Sequence, residues 1–406
     1  MPQARAVAPG ASPATPGTQQ TMEETVKIVI LAGGSAATVF ALAPFATAAR
    51  NAGHETLMVS TEEMVPYIAG MGIPPVAVTA LTPPQYMFTD RSGAPVPPPT
   101  GPEDEKLFAG RGFARLAAAS LEPLDALVQV WRPDVVVGGA LSYAAGIFAR
   151  RAGLPYVRHA WDPSETTHMD AGAVEELRPE LAQLGLDDLP RPDLDIDICP
   201  PSLRPEGAPV AHLMRWISVN KQARLEPWMY TRPARRRVVV TSGSRSSDGP
   251  VRERDLAFLR GLIDAVEALD GEIVVAAPEG VAADLRAERP ELRAGWIPLD
   301  VLIHTCDAVV SHGGGVTVMT ALSAGVPQLV IPQLSHSLPP AVRMSDFGAS
   351  ITLPPAQATA QAVRTAVGDL LDKPGYRERA GDLAREIASL ATPADTVRVV
   401  EQLVER

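Results

Sequence analysis

The stretch Val26-Lys27-Ile28-Val29-Ile30-Leu31-Ala32-Gly33-Gly34 decides the fold. A near-continuous apolar run ends on two glycines. That is the pattern of a strand covered on both faces of a parallel sheet, followed by a tight turn. Downstream, an Ala-rich helix is predicted over 39–51, stopped by Gly53. A strand over 54–60, a helix over 62–71 and a strand over 74–78 follow. A proline-rich mobile loop is expected over 83–103, then a long amphipathic helix over 107–131. A strand over 134–139, a helix over 142–152 and a strand over 155–161 complete the series. Strand and helix alternate throughout, which predicts a doubly wound α/β domain.

Residues 163–200 are acidic and proline-studded, with an edge strand expected over 194–199. Few apolar periods occur over 219–235, which reads as the interdomain linker. The rhythm then restarts. A strand over 237–241 runs into Ser242-Gly243-Ser244, and a helix is predicted over 254–269. Strands are expected over 272–277, 293–297, 308–311 and 327–331, with a helix over 316–324. Helices over 357–372 and 375–391 precede a last one over 395–404, capped by Asp395. The chain therefore divides into a flexible tail (1–25), a first Rossmann-like domain (26–225), a second (226–390), and a helix crossing back to the first (391–406). Ligands of such sheets bind at the carboxyl ends of the strands, so the cleft between the domains is the expected site.

Composition narrows the function. Lys and Arg number 36 against 47 Asp and Glu, a net charge of −11, which is the wrong sign for a nucleic-acid binder. The two cysteines, Cys199 and Cys306, make neither a disulfide framework nor a zinc site. No apolar run reaches the ~18–20 residues of a membrane span, and the N-terminus lacks a signal-peptide core. A cytoplasmic protein with reduced thiols, acting on small molecules as a monomer or a homodimer, is expected. Prolines number 40, about a tenth of the chain, and imply many short, sharply turned connections.

The chemistry-bearing segment is 311–333, SHGGGVTVMTALSAGVPQLVIPQ. A strand ends at Ser311, His312-Gly313-Gly314-Gly315 turns, and a helix starts near Thr317. Backbone N–H groups and the positive dipole end at such a start favour an anion, and missing Cβ atoms would let a diphosphate come close. His312 and Thr317 could add donors. The alternative is a structural glycine turn beside a buried histidine. No Gly-Lys-Ser/Thr follows, and neither glycine cluster completes G-x-G-x-x-G, which speaks against a P-loop and a dinucleotide enzyme.

This run resembles the donor-binding signature of family 1 GT-B glycosyltransferases, in particular bacterial enzymes that put deoxysugars on polyketides. The resemblance extends from Val26 onward. Gly295-Trp296-Ile297-Pro298-Leu299 matches the loop that receives the nucleotide base. Thr241-Ser242-Gly243-Ser244-Arg245 matches the first strand-turn of the C-terminal domain, beside the diphosphate. Residues 34–44, Leu203-Arg204-Pro205 and 225–231 are similar to the urdamycin-type aromatic-polyketide C-glycosyltransferases. The resemblance implies a nucleotide-diphosphate site at Ser242, Gly243, Ser244, Trp296, Ile297, Pro298, His312, Gly313, Gly314, Gly315, Val316 and Thr317. It also implies a TDP-deoxysugar as donor, with no cofactor and no metal.

Two departures bear on mechanism. The family's usual general-base histidine falls at Thr38, whose hydroxyl cannot serve near neutral pH. Its usual sugar-clamping Asp-Gln pair falls at His336 and Ser337, consistent with a deoxysugar that has fewer hydroxyls, or with a rebuilt loop. The best candidate base is Asp162, in His159-Ala160-Trp161-Asp162-Pro163 at the carboxyl end of a strand; the alternative is a turn residue before Pro163. Trp161 would wall a flat acceptor. Ser35 either holds an acceptor or donor oxygen or caps a helix. His159 either assists Asp162 or is structural. No cluster has metal-ligand spacing. The expected reaction is metal-independent, inverting transfer of an olivose-like sugar to an aromatic polyketide through carbon. The rivals are O-transfer to a phenol or alcohol, a non-catalytic GT-B partner protein, and a sugar-nucleotide 2-epimerase, which would need more carboxylates.

Overall fold

The structure, a computed structural model, describes residues 25–165, 167–243 and 249–405. The 1–24 part of the expected tail, and Ser244 and Arg245, lie outside the described residues. The first half contains β1 (Lys27–Leu31), α1 (Ala36–Asn51), β2 (Glu55–Thr61), α2 (Val65–Gly70), β3 (Pro75–Thr79), α3 (Pro83–Phe88), α4 (Pro102–Val130), β4 (Val135–Gly139), α5 (Ala144–Ala152), β5 (Tyr156–His159), α6 (Asp170–Glu176), α7 (Arg178–Gln183), β6 (Leu194–Asp197) and β7 (His212–Leu213). Its sheet has the order β3-β2-β1-β4-β5-β6-β7, and every pairing is parallel.

The second half contains α8 (Pro227–Tyr230), β8 (Arg236–Thr241), α9 (Gly249–Glu267), β9 (Gly271–Ala276), α10 (Glu279–Glu288), β10 (Arg293–Gly295), α11 (Leu299–Leu302), β11 (Ala308–Ser311), α12 (Gly315–Ser323), β12 (Gln328–Val330), α13 (Leu338–Phe347), β13 (Ser350–Thr352), α14 (Ala360–Asp372), α15 (Pro374–Ser389) and α16 (Pro393–Val404). The order β10-β9-β8-β11-β12-β13 is again all parallel. The fold is two Rossmann-like domains.

The apolar run of β1 reads out as the sequence implies. Ile28 and Ile30 enter one core with α1, while Val29 and Leu31 enter another under α4 and α5. Both faces are buried, so the strand cannot alternate with polar residues. In β8, Val238 and Val240 face α9 and α14, and Val239 faces the opposite core. The first core runs on into the second half. It includes Val318, Met319 and Leu322 of α12 and Met344 of α13. The base of the expected cleft is therefore packed, with α1 against α12.

In each sheet the strand order reverses beside the first strand, between β1 and β4 and between β8 and β11. Loops diverge at such points and leave room for ligands. The last helix, α16, lies on α1. His54 Nε2 meets Glu401 Oε1 at 2.6 Å, and His212 Nε2 meets Thr396 Oγ1 at 3.0 Å.

Several elements differ from the sequence expectation. The 83–103 segment holds α3, fixed by a Thr82–Gln85 capping box, and α4 begins at Pro102 behind Gly101. Segment 163–200 holds α6 and α7. α10, α13, β13 and β7 were not foreseen. α13 opens Leu338-Pro339-Pro340, prolines that read as loop but suit a first helical turn. α12 starts at Gly315, ahead of the expected start. The cap of α16 is Thr392, not Asp395; Asp395 is its partner three residues on.

Candidate active site

The turns after β8 and β11 are built alike. Gly243 N donates to Thr241 Oγ1 at 3.0 Å, and Gly313 N to Ser311 Oγ at 3.3 Å. Both glycines have positive φ, 89° and 84°, where a side chain would be strained. Between the turns lies the His312 imidazole. A Cβ on Gly243 would stand 2.6 Å from His312 Cε1, and one on Gly314 would stand 2.7 Å from Nε2. The third glycine faces the other domain. A Cβ on Gly315 would collide with Asp162 Cβ and lie 3.0 Å from Asp162 Oδ2.

The missing Cβ atoms also make room within the fold. At 243 and 314 they make room for His312, and at 315 for Asp162. Gly313 faces Val330 and Ser337. What the turn offers an anion is its backbone N–H groups and the start of α12. Val316 and Thr317, both partly exposed, stand in its first turn. Ser242 Oγ is buried with no hydrogen-bond partner among the described residues.

Asp162 is 7% exposed, and Ser164 N donates to its Oδ1 at 2.8 Å. With Gly313, Gly315, Ser337 and Met344 it lines a small interdomain pocket. The loop carrying it is pinned from the second domain, where Arg343 Nη2 donates to Pro163 O at 2.9 Å. Glu105, in the first turn of α4, accepts from Ser335 N at 3.2 Å. The His336 ring stacks on His168 at 6.1 Å, and its carbonyl accepts from Ser164 Oγ at 3.4 Å. Ser337 Oγ donates to Leu334 O at 2.8 Å. His336 and Ser337 thus lie beside Asp162.

The Thr38 hydroxyl is hydrogen-bonded to backbone. Its single proton is shared between Gly33 O at 2.9 Å and Ser35 O at 2.7 Å, in the β1–α1 corner. Ser35 stands at the N-cap of α1 but makes no capping side-chain bond. His159 is fully buried. Burial pushes it down to about 4, against the raising effect of the Ala160 carbonyl, so it is neutral at physiological pH and structural. Trp296 is held by the interdomain connection: Nε1 donates to Lys221 O at 2.9 Å, and Lys221 Nζ lies 5.6 Å from its ring. Ile297 is buried in a core, and Pro298 precedes α11, so these two offer backbone rather than side chains.

A second pocket opens at the carboxyl ends of β1, β2 and β4 beneath α4. Phe113 is in its wall and stands edge-on to Trp161, with centroids 6.5 Å apart. Tyr86 tilts against Phe113 at 5.8 Å. An aromatic arc thus leads from this pocket toward Asp162.

Residues 108–243 match the N-terminal domain, and residues 260–404 the C-terminal domain, of the family described as erythromycin biosynthesis protein CIII-like. The L-demethylnoviosyl transferase of Streptomyces niveus is 34% identical over 358 residues, 88% of this chain and 92% of its own. The chain belongs to the erythromycin CIII-like glycosyltransferases. The transferase is also similar to the Streptomyces sp. SF2575 glycosyltransferase SsfS6 complexed with thymidine diphosphate, at 32% identity and TM-score 0.82, covering 93% and 99% of the two chains. The spinosyn rhamnosyltransferase SpnG complexed with spinosyn aglycone is 26% identical, with TM-score 0.78 and coverage of 92% and 99%. The transferase is thus a GT-B enzyme of the polyketide deoxysugar class.

Sequence reasoning missed Glu105, Arg343, Phe113 and Ser164 as site neighbours. Glu105 and Phe113 lie on α4, whose acidic first turn after Pro102 was a legible signal. Arg343 lies on α13, which its prolines disguised. Among the described residues no group of three or more His, Cys, Asp or Glu side chains is placed to hold a metal ion, and no helix is long and apolar enough to cross a membrane.

Proposed function

We propose that the transferase moves an olivose-like deoxysugar from a TDP-sugar to an aromatic polyketide, forming a C-glycosidic bond with inversion and without a metal. The carrying observation is the position of Asp162. Its carboxylate is buried between the domains at the start of α12, while the residue at the family's usual base position, Thr38, is tied to backbone carbonyls. The relatives solved with thymidine diphosphate and with spinosyn aglycone support a TDP-linked donor and an aglycone acceptor.

Asp162 takes the proton of a phenol on the acceptor. Electron density moves into the ring, and the carbon ortho to that oxygen attacks the anomeric carbon. A C–C bond forms as the anomeric C–O bond to the diphosphate breaks and TDP leaves. The ring carbon then loses its own proton as aromaticity returns. Charge on the leaving TDP is met by the N–H groups at the start of α12, with His312, Ser242 and Thr317 as donors. In a protein of net charge −11, such local dipoles must bind the anion.

The test is incubation with TDP-olivose and an aromatic aglycone, followed by acid. A C-glycoside survives, whereas an acid-labile product makes the enzyme an O-transferase and overturns the linkage. Asp162→Asn is expected to lower kcat by about 10²–10⁴ with TDP affinity unchanged; full turnover in that variant would remove Asp162 as the base.

A further inference from the structure

The pocket beneath α4 is largely apolar, yet four small hydroxyl side chains line it: Ser60, Thr61, Ser120 and Ser142. Two are spent within the fold. Ser60 Oγ donates to Gly33 O at 3.0 Å, and Ser120 Oγ donates to Leu116 O at 2.8 Å. The other two are not. Thr61 Oγ1 and Ser142 Oγ are both buried from solvent with no hydrogen-bond partner among the described residues. Thr61 is 1% exposed. It stands where a helix cap would stand, ahead of the short turn 62–64, but its side chain caps nothing.

Burying a hydroxyl without a partner is costly, and native proteins rarely leave one so. Two such groups, Thr61 at the end of β2 and Ser142 in the loop between β4 and α5, border one cavity. Each can donate one hydrogen bond and accept two, so each suits either a phenol or a carbonyl oxygen. Phe113 borders the same cavity and continues through Trp161 to the Asp162 loop.

We propose that Thr61 and Ser142 form the polar end of the acceptor chamber and read ring oxygens remote from the carbon that is glycosylated. The chamber selects a flat apolar skeleton by its walls. The hydroxyl pair selects which edge of that skeleton enters, and so which ring is presented to Asp162. This rests on the proposed function, transfer to an aromatic polyketide, and places that acceptor in the pocket beneath α4.

The experiment titrates the full-length, TDP-loaded protein with an aromatic polyketide aglycone, and with an analogue lacking the hydroxyls of one terminal ring, following quenching of tryptophan fluorescence. Thr61→Val and Ser142→Ala are each expected to weaken aglycone binding about tenfold and to leave the affinity for TDP within twofold. The analogue should bind the variants no worse than it binds the wild type. Thr61→Ser, which keeps the hydroxyl, should restore affinity, and it remains informative if the valine variant folds poorly. If the wild type binds the aglycone and all variants bind it equally well, the two hydroxyls hold water or nothing, and the proposal fails while the acceptor reading stands. If the wild type does not bind aromatic aglycones at all, the acceptor reading fails and takes this proposal with it.

Discussion

At the residue scale the structure separates side chains that chemistry needs from those the fold needs. Thr38 belongs to the second group. With its hydroxyl on two backbone carbonyls, Thr38→Val is expected to cost about 1 kcal/mol of stability and to leave kcat within twofold, checked by urea unfolding and steady-state kinetics. His312 and Thr317 belong to the first. Their double alanine variant should weaken TDP binding about 10–100-fold by calorimetry, as expected for lost bonds to a charged group. His159 makes stability depend on pH. The unfolded chain takes up a proton near pH 6.5 that the folded chain refuses until about pH 4. Stability from this group is therefore full above pH 6.5, falls as the pH is lowered to about 4, and then flattens. The span corresponds to about 3 kcal/mol. Unfolding free energies of wild type and His159→Gln, from urea titrations at pH 7.5 and pH 4.5, should converge by about that amount.

At the scale of elements, α12 joins the two chemistries, because its first residue is the glycine against which Asp162 rests. Gly315→Ala forces Asp162 or the helix to move. A loss of kcat/KM of at least tenfold is expected, with little change in the melting temperature. Gly261→Ala on α9 is the control, since a Cβ there meets nothing within 4 Å. It should stabilise by about 0.5–1 kcal/mol and leave activity alone. Elements with long, strongly patterned runs were legible from sequence: β1, β4 and β8 by their valine and isoleucine runs, α4 and α12 by length or by the glycines before them. β7 and β13 were not, because two or three residues carry no period. The site was legible in its residue types and not in its contacts. Nothing local says that Gly243 faces His312, because the two are brought together only by β8 lying beside β11.

At the scale of the whole molecule, the C-terminal segment ties the ends of the chain together. Arg215 N donates to Ala391 O at 2.7 Å, and Val397 and Val400 of α16 are buried in the core that holds α1. A chain ending at residue 392 loses two buried valines and their partners. It should be destabilised by at least about 3 kcal/mol, with limited proteolysis starting in the N-terminal domain rather than the C-terminal one. The contact of Asp162 with Gly315 also bears on how such enzymes can be recombined. Consider a hybrid that joins the acceptor half of one such enzyme to the donor half of another. Here the cut would run between a carboxylate and the only residue type that leaves room for it. A graft that brings a bulkier side chain to either position would jam at the seam, however well each half folds. Positions 162 and 315 should therefore be inherited as a pair.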